Sequence, residues 1–141
     1  LLPDSPEALQ VLASFRISQQ NNPAALEALM KSYNSWKDLG STPPQFFALR
    51  FFDLLLSDLE EKPAYELRVN MAKLMLELQQ NETAAELLES LLEENDDVSE
   101  VWFLLATALS HFDVPAAIEP LNQCKAVRIY YHLEDPAKLG S

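Results

Sequence analysis

Apolar residues recur at three- and four-residue intervals along almost the whole chain, the period that sets side chains on one face of an α-helix. Leu9, Leu12, Ala13, Arg16 and Ile17 form the first stripe. Asp4 or Ser5 can cap this helix and Pro6 can open it, so a helix over about 6–20 is predicted. Asn21-Asn22-Pro23 breaks the pattern, and Ala25, Leu26, Leu29, Met30 and Tyr33 restart it to about residue 37. The first unit is therefore a pair of helices joined by a short turn. Gly40 to Pro44 is the next break. Gln45 to Leu59 is apolar almost all round, with Phe46, Phe47, Phe51 and Phe52, and is too long for a strand; it predicts a buried third helix. A fourth follows Pro63 to about Gln80 and a fifth follows Asn81-Glu82, with Leu87, Leu88, Leu91 and Leu92 inward, ending at Asn95-Asp96-Asp97. The sixth spans about 99–111. The seventh starts near Pro115, where Pro120 implies a kink or a late start, and runs past Cys124 towards Tyr130.

The alternatives to an all-α fold are poorly supplied with residues. Only Gly40 and Gly140 occur in 141 residues, where average usage predicts roughly ten. Phosphate-cradling loops, dinucleotide folds and tight hairpins are disfavoured accordingly. The 48% of apolar residues is enough for a core, and one domain over 1–141 is the expectation. The lone Cys124 points to a reducing compartment, and no apolar run approaches the ~20 residues of a membrane span. The start at Leu1-Leu2-Pro3-Asp4 suggests an excised fragment, and 135–141 reads as a polar tail or as residues foreign to the natural chain.

Helix pairs with short turns also suggest a repeat, and one is present. Met71-Ala72 and Leu105-Ala106 stand 34 residues apart, and Ala84-Ala85 is followed about one period later by Ala116-Ala117. Leu12-Ala13 with Ala25 shows the same 12-residue offset between small residues, which suit close helix approach. Glu100-Val-Trp102-Phe-Leu-Leu105-Ala106 resembles the first helix of a tetratricopeptide repeat, with a large residue followed by Leu and a small residue three and four places on. The resemblance implies a right-handed superhelical array of antiparallel helix pairs, about seven helices in all. Longer strings sharpen it: Asp4-Ser-Pro-Glu-Ala-Leu-Gln10, Leu12-Ala-Ser14, Arg16-Ile-Ser-Gln-Gln20, Ser35-Trp-Lys-Asp-Leu39, Leu91-Leu-Glu-Glu-Asn-Asp-Asp-Val98 and Glu100-Val-Trp102. These are similar to the fungal tetratricopeptide family of assembly chaperones dedicated to large-subunit ribosomal protein four. The similarity covers 4–39 and roughly 65–110; it departs in 45–60, where the family's connection is shorter, and weakens in the seventh helix. It implies a holdase in cytoplasm and nucleus that shields a newly made ribosomal protein, chiefly its long basic internal loop, and does no covalent chemistry.

Charge agrees in sign. The net charge is -12, and residues 58–100 hold 13 acidic and three basic side chains, a net of -10. Such a chain is repelled by nucleic acid and anionic lipid, so neither is an expected partner and a Lys/Arg-rich protein segment is. In arrays of the resembled type the inner face is lined by the first helix of each pair. The expected binding residues are Glu66, Asn70, Lys73 and Glu77 on the fourth helix, and Glu100, Phe103, Thr107 and His111 on the sixth. Glu82, Glu86, Glu89 and Glu93 belong to a second helix and read as a solvated outer face.

Other chemistry finds no support. His111, Cys124 and His132 lack metal-site spacing, and no base is placed to activate Cys124, which reads as a buried thiol. No catalytic residue, metal, cofactor or small-molecule substrate is expected. Trp102 occupies the large-residue position of the repeat and is expected to pack within it; the Phe cluster is expected in the core. The alternatives are a generic tetratricopeptide scaffold between folded proteins and an α-helical enzyme. A scaffold gripping acidic chaperone tails needs a basic groove, and Lys73 is the only cation among the inner-face candidates.

Overall fold

The structure is a computed structural model that describes residues 5–38 and 62–134. The expected third helix and the tail 135–141 lie outside the described residues. Those that are described form six α-helices: α1 (Pro6–Ser18), α2 (Asn22–Trp36), α3 (Tyr65–Glu77), α4 (Asn81–Glu94), α5 (Ser99–Ser110) and, after a short 3-10 turn at Pro115–Ala117, α6 (Ile118–Glu134). No strand occurs among them, so the expected all-α class holds. Contacts divide the chain into two compact units, Leu1–Leu67 and Arg68–Ser141.

In the first unit Ser5 caps α1, its hydroxyl accepting from the Ala8 N–H at 3.2 Å, and Pro6 opens the helix where no backbone donor is needed. Asn21 caps α2 in the same way, accepting from the Ala24 N–H. α1 and α2 pack on each other. Leu9, Gln10 and Ala13 of α1, and Ala25, Ala28, Leu29, Ser32, Tyr33 and Trp36 of α2, are buried. The α1 face is turned from the expected one: Leu12 is exposed and Gln10 is inside. Gln10 is anchored there through its Nε2, which donates to the Leu67 carbonyl at 3.0 Å, while its buried Oε1 has no hydrogen-bond partner among the described residues. Ser32 ties the pair together, its hydroxyl donating to the Pro6 carbonyl at 3.0 Å. Trp36 lies edge-on to Tyr33, ring centroids 5.2 Å apart, as a core residue.

The turns that close the first two pairs are one structure repeated. Gln20 has φ 60° and Gln79 φ 61°, the left-handed region that glycine favours. Asn21 N–H donates to Arg16 C=O and Gln20 N–H to Ile17 C=O; 59 residues on, Gln80 N–H donates to Met75 C=O and Gln79 N–H to Leu76 C=O. Both are Schellman motifs, in which the chain reverses after satisfying the last carbonyls of the helix. Between these turns and the next the spacing falls to about one 34-residue period. The extra length lies between Trp36 and Tyr65, since α4 and α5 are separated by Asn95–Val98 alone.

In the second unit α4 packs on α5 and α5 on α6. Met71 and Ala72, and their counterparts Leu105 and Ala106, are buried as expected of close-approach positions. The third turn drops the left-handed residue: Phe112 N–H donates to Leu109 C=O, a 3-10 turn intervenes, and α6 starts at Ile118. The late start places Pro120 in the first helical turn, where its missing N–H leaves no bond unmade. α4 and α6 then register at 33 residues. Ala84, Leu87 and Leu91 are buried in α4, as are their counterparts Ala117 of the 3-10 turn and Pro120 and Cys124 of α6. Ala85 and Leu88 are also buried, whereas their counterparts Ile118 and Leu121 are 60% and 40% exposed. α4 is followed by a helix that packs on it, and α6 runs to the end of the described residues. Its outer side remains an apolar stripe.

Candidate functional site

On α3 the spacing of Glu66, Asn70, Lys73 and Glu77 sets them on one side, opposite buried Val69, Met71, Ala72 and Met75. All four are exposed. Glu66 belongs to the first unit by contact and the other three to the second. On α5, Glu100, Phe103, Thr107 and His111 follow the same spacing, outside buried Val101, Leu105, Ala106 and Ala108. Glu100, Phe103 and His111 are exposed and Thr107 is half-buried.

One contact joins the two rows. Lys73 Nζ lies 2.5 Å from Glu100 Oε1, with the side chains 44% and 53% exposed. In the second unit this charge-assisted contact brings Lys73 of α3 against Glu100 of α5. Phe103 stands one turn from Glu100 and is 54% exposed, so its ring is open to contact. Thr107 Oγ1 donates to the Phe103 carbonyl at 2.9 Å, so its proton is committed to the helix and only its lone pairs face out. His111 closes α5, its backbone N–H donating to Ala108 C=O. The arrangement offers carboxylates at Glu77 and Glu100, an amide at Asn70 and a ring at Phe103. It is suited to holding a cationic chain.

The second acidic row is unlike the first. Glu82, Glu86, Glu89 and Glu93 are all exposed on α4, opposite Ala84, Ala85, Leu87, Leu88 and Leu91. Trp102 is half-buried and its Nε1 donates to the Asp96 carbonyl at 2.7 Å, tying α5 to the link that precedes it. Trp102 is thus a packing residue.

Arg68 was not expected to matter. It is 7% exposed, and its guanidinium donates through Nη1 and Nη2 to Glu94 Oε1 and Oε2 at 2.6 and 3.0 Å. This two-pronged pair fastens the start of α3 to the end of α4. A signal was available: Arg68 stands 34 residues before Trp102, so it fills the large-residue position of its own repeat with an aliphatic stem and a neutralised head. The histidines His111 and His132 are exposed while Cys124 is buried. No helix among the described residues is long and apolar enough to cross a membrane.

Over 102 residues, 72% of its length, the chain is 35% identical to a protein of Emericella nidulans named "Probable assembly chaperone of rpl4". Over 99 residues, 70% of its length, it is 33% identical to a protein of the same name from Schizosaccharomyces pombe. The matched segments are 22% and 25% of those proteins, so the chain spans about a quarter of the length of these curated relatives. No protein-family model matches the chain.

Proposed function

We propose that this chain is part of a ribosome-biogenesis chaperone, one that binds a newly made basic ribosomal protein and masks it until assembly. The partner is large-subunit protein four, chiefly its long basic internal loop, the binding surface is the joined face of α3 and α5, and the chain acts in cytoplasm and nucleus without covalent chemistry. The helix pairs are read as tetratricopeptide-like. The observation that carries the reading is the Lys73–Glu100 contact, which draws two exposed polar rows into one surface. The names of the two relatives support the partner, and the net charge of -12 supports its sign. Such a partner displays Lys and Arg that belong on RNA. Glu77 and Glu100 accept charge-assisted hydrogen bonds from them, Phe103 supplies apolar contact, and a pre-ordered helical surface limits the ordering cost. A scaffold that grips acidic tails is disfavoured, because Lys73 already faces Glu100.

The test is calorimetric titration with a synthetic peptide of the basic internal loop, at about 0.15 M and 0.5 M salt, beside a scrambled peptide of equal charge. Sub-micromolar binding that the scramble does not reproduce is expected. Equal binding of both peptides, erased by salt, would reduce the acidity to a polyelectrolyte effect and sink the assignment.

A further inference from the structure

Lys73 is an anomaly on the proposed surface. A face that collects cations carries one of its own, and that cation sits on the carboxylate a ligand would need. We infer that Lys73 is a tethered competitor: it holds Glu100 in the free protein and yields it to an arginine of the basic partner, whose guanidinium then lies over Phe103. The inference rests on the proposed function and names how that surface selects its ligand.

The argument is one of exchange. An ammonium from the ligand that replaces the Lys73 ammonium gains little, because one point charge on the carboxylate is exchanged for another. Lys73 is attached to the same surface, so it competes at a high effective concentration whatever the ligand. A guanidinium is different in kind. Its planar fork can take both carboxylate oxygens of Glu100 while its face stacks on a ring, and Phe103 is exposed one turn along α5 to receive it. The bound lysine therefore discourages lysine-bearing and weakly basic chains more than arginine-bearing ones. It is a device of selectivity that lowers affinity. Both side chains are about half exposed, so the pair can open without disturbing the buried Met71, Ala72, Leu105 and Ala106 behind it.

The experiment uses the whole chain with two probes of equal charge, an eight-residue arginine peptide and an eight-residue lysine peptide, titrated at about 0.1 M salt. The variants are K73M, which keeps the aliphatic stem, E100Q, the double variant, and K125M, which removes an exposed cation from α6 and so repeats the change in net charge. The wild type is expected to prefer the arginine peptide by about threefold or more. K73M should tighten binding of the lysine peptide about fivefold and of the arginine peptide less, narrowing the preference, while K125M changes either by less than twofold. In the E100Q background K73M should have no effect beyond that of K125M. Equal gains from K73M and K125M would overturn the inference by making the effect one of net charge. A weaker or unchanged affinity in K73M, with a lowered unfolding temperature, would overturn it in favour of a simple clamp between α3 and α5. Either result leaves the proposed function standing if the internal-loop peptide still binds the wild type. Absence of binding by all three peptides would overturn both.

Discussion

The second unit carries two polar rows that differ both in composition and in construction. The row on α4 is four glutamates on a single helix, at spacings where like charges face each other and each pair destabilises the helix by about 0.2–0.5 kcal/mol. The row pair on α3 and α5 spans two helices, mixes carboxylates with an amide, a ring and a lysine, and is closed by the contact between Lys73 and Glu100. The α4 row carries four negative charges, whereas within the second unit Glu77 and Glu100 stand against Lys73, a net of -1. What separates them is that the α3 and α5 surface sets different chemical groups side by side, whereas the α4 row presents one group repeated along one helix. An exposed ion pair is worth only about 0.2–1 kcal/mol, so Lys73 and Glu100 matter for arrangement more than for stability.

The contrast can be broken at its base. Leu91 is fully buried beneath the α4 row, and L91A should destabilise the protein by about 3 kcal/mol in urea unfolding. A loss below about 1 kcal/mol would mean that the row rests on no packed core. A sharper cut is charge reversal on each surface. E77K is expected to weaken binding of the basic loop peptide about tenfold or more, about 1.4 kcal/mol, while E86K changes it less than twofold. Equal losses in calorimetry would show that the rows are interchangeable and would refute the site.

Smaller effects test the frame that holds the two rows. Gln79 sits at φ 61° in the turn that joins α3 to α4, where a side chain is strained and glycine is not. Q79G should stabilise the protein by about 0.5–1 kcal/mol, read as a raised unfolding temperature with binding unchanged. Smallest of all, E93Q removes the one repulsion between Glu93 and Glu89 on the α4 row. It should add about 0.2–0.5 kcal/mol and leave loop-peptide affinity within twofold. Loss of affinity there would give the α4 row a role it is not assigned.

Much of the frame was legible, because period and capping are local properties. Ser5, Pro6, Asn21 and Pro23 mark their helix starts by chemistry that survives any tertiary context. Close-approach residues such as Ala72 and Ala106 announced the repeat. Where the sequence misled, the deciding interaction lay elsewhere in the chain. Gln10 reads as surface and Leu12 as core until the Leu67 carbonyl, 57 residues on, supplies the hydrogen bond that lets Gln10 be inside. The left-handed Gln20 and Gln79 gave no warning either, since glycine is the usual marker of such a turn, and so the fourth helix was expected to run on to about Gln80. The site residues were legible as rows; that Lys73 meets Glu100 was not, because a contact between two helices has no sequence spacing to betray it.

The uncovered stripe on α6 bears on how the molecule breathes. In stacked helices each element is held by its neighbours, so a helix gripped on one side opens more readily than one gripped on two. α4 has Ala85 and Leu88 covered, and α6 leaves Ile118 and Leu121 to water. Amide hydrogens of α6 should therefore exchange with solvent deuterons by local opening, well ahead of those of α4, which wait for concerted unfolding. The gradient of exchange protection would run along the chain from α4 outward, set by burial alone and indifferent to the charge that dominates the composition.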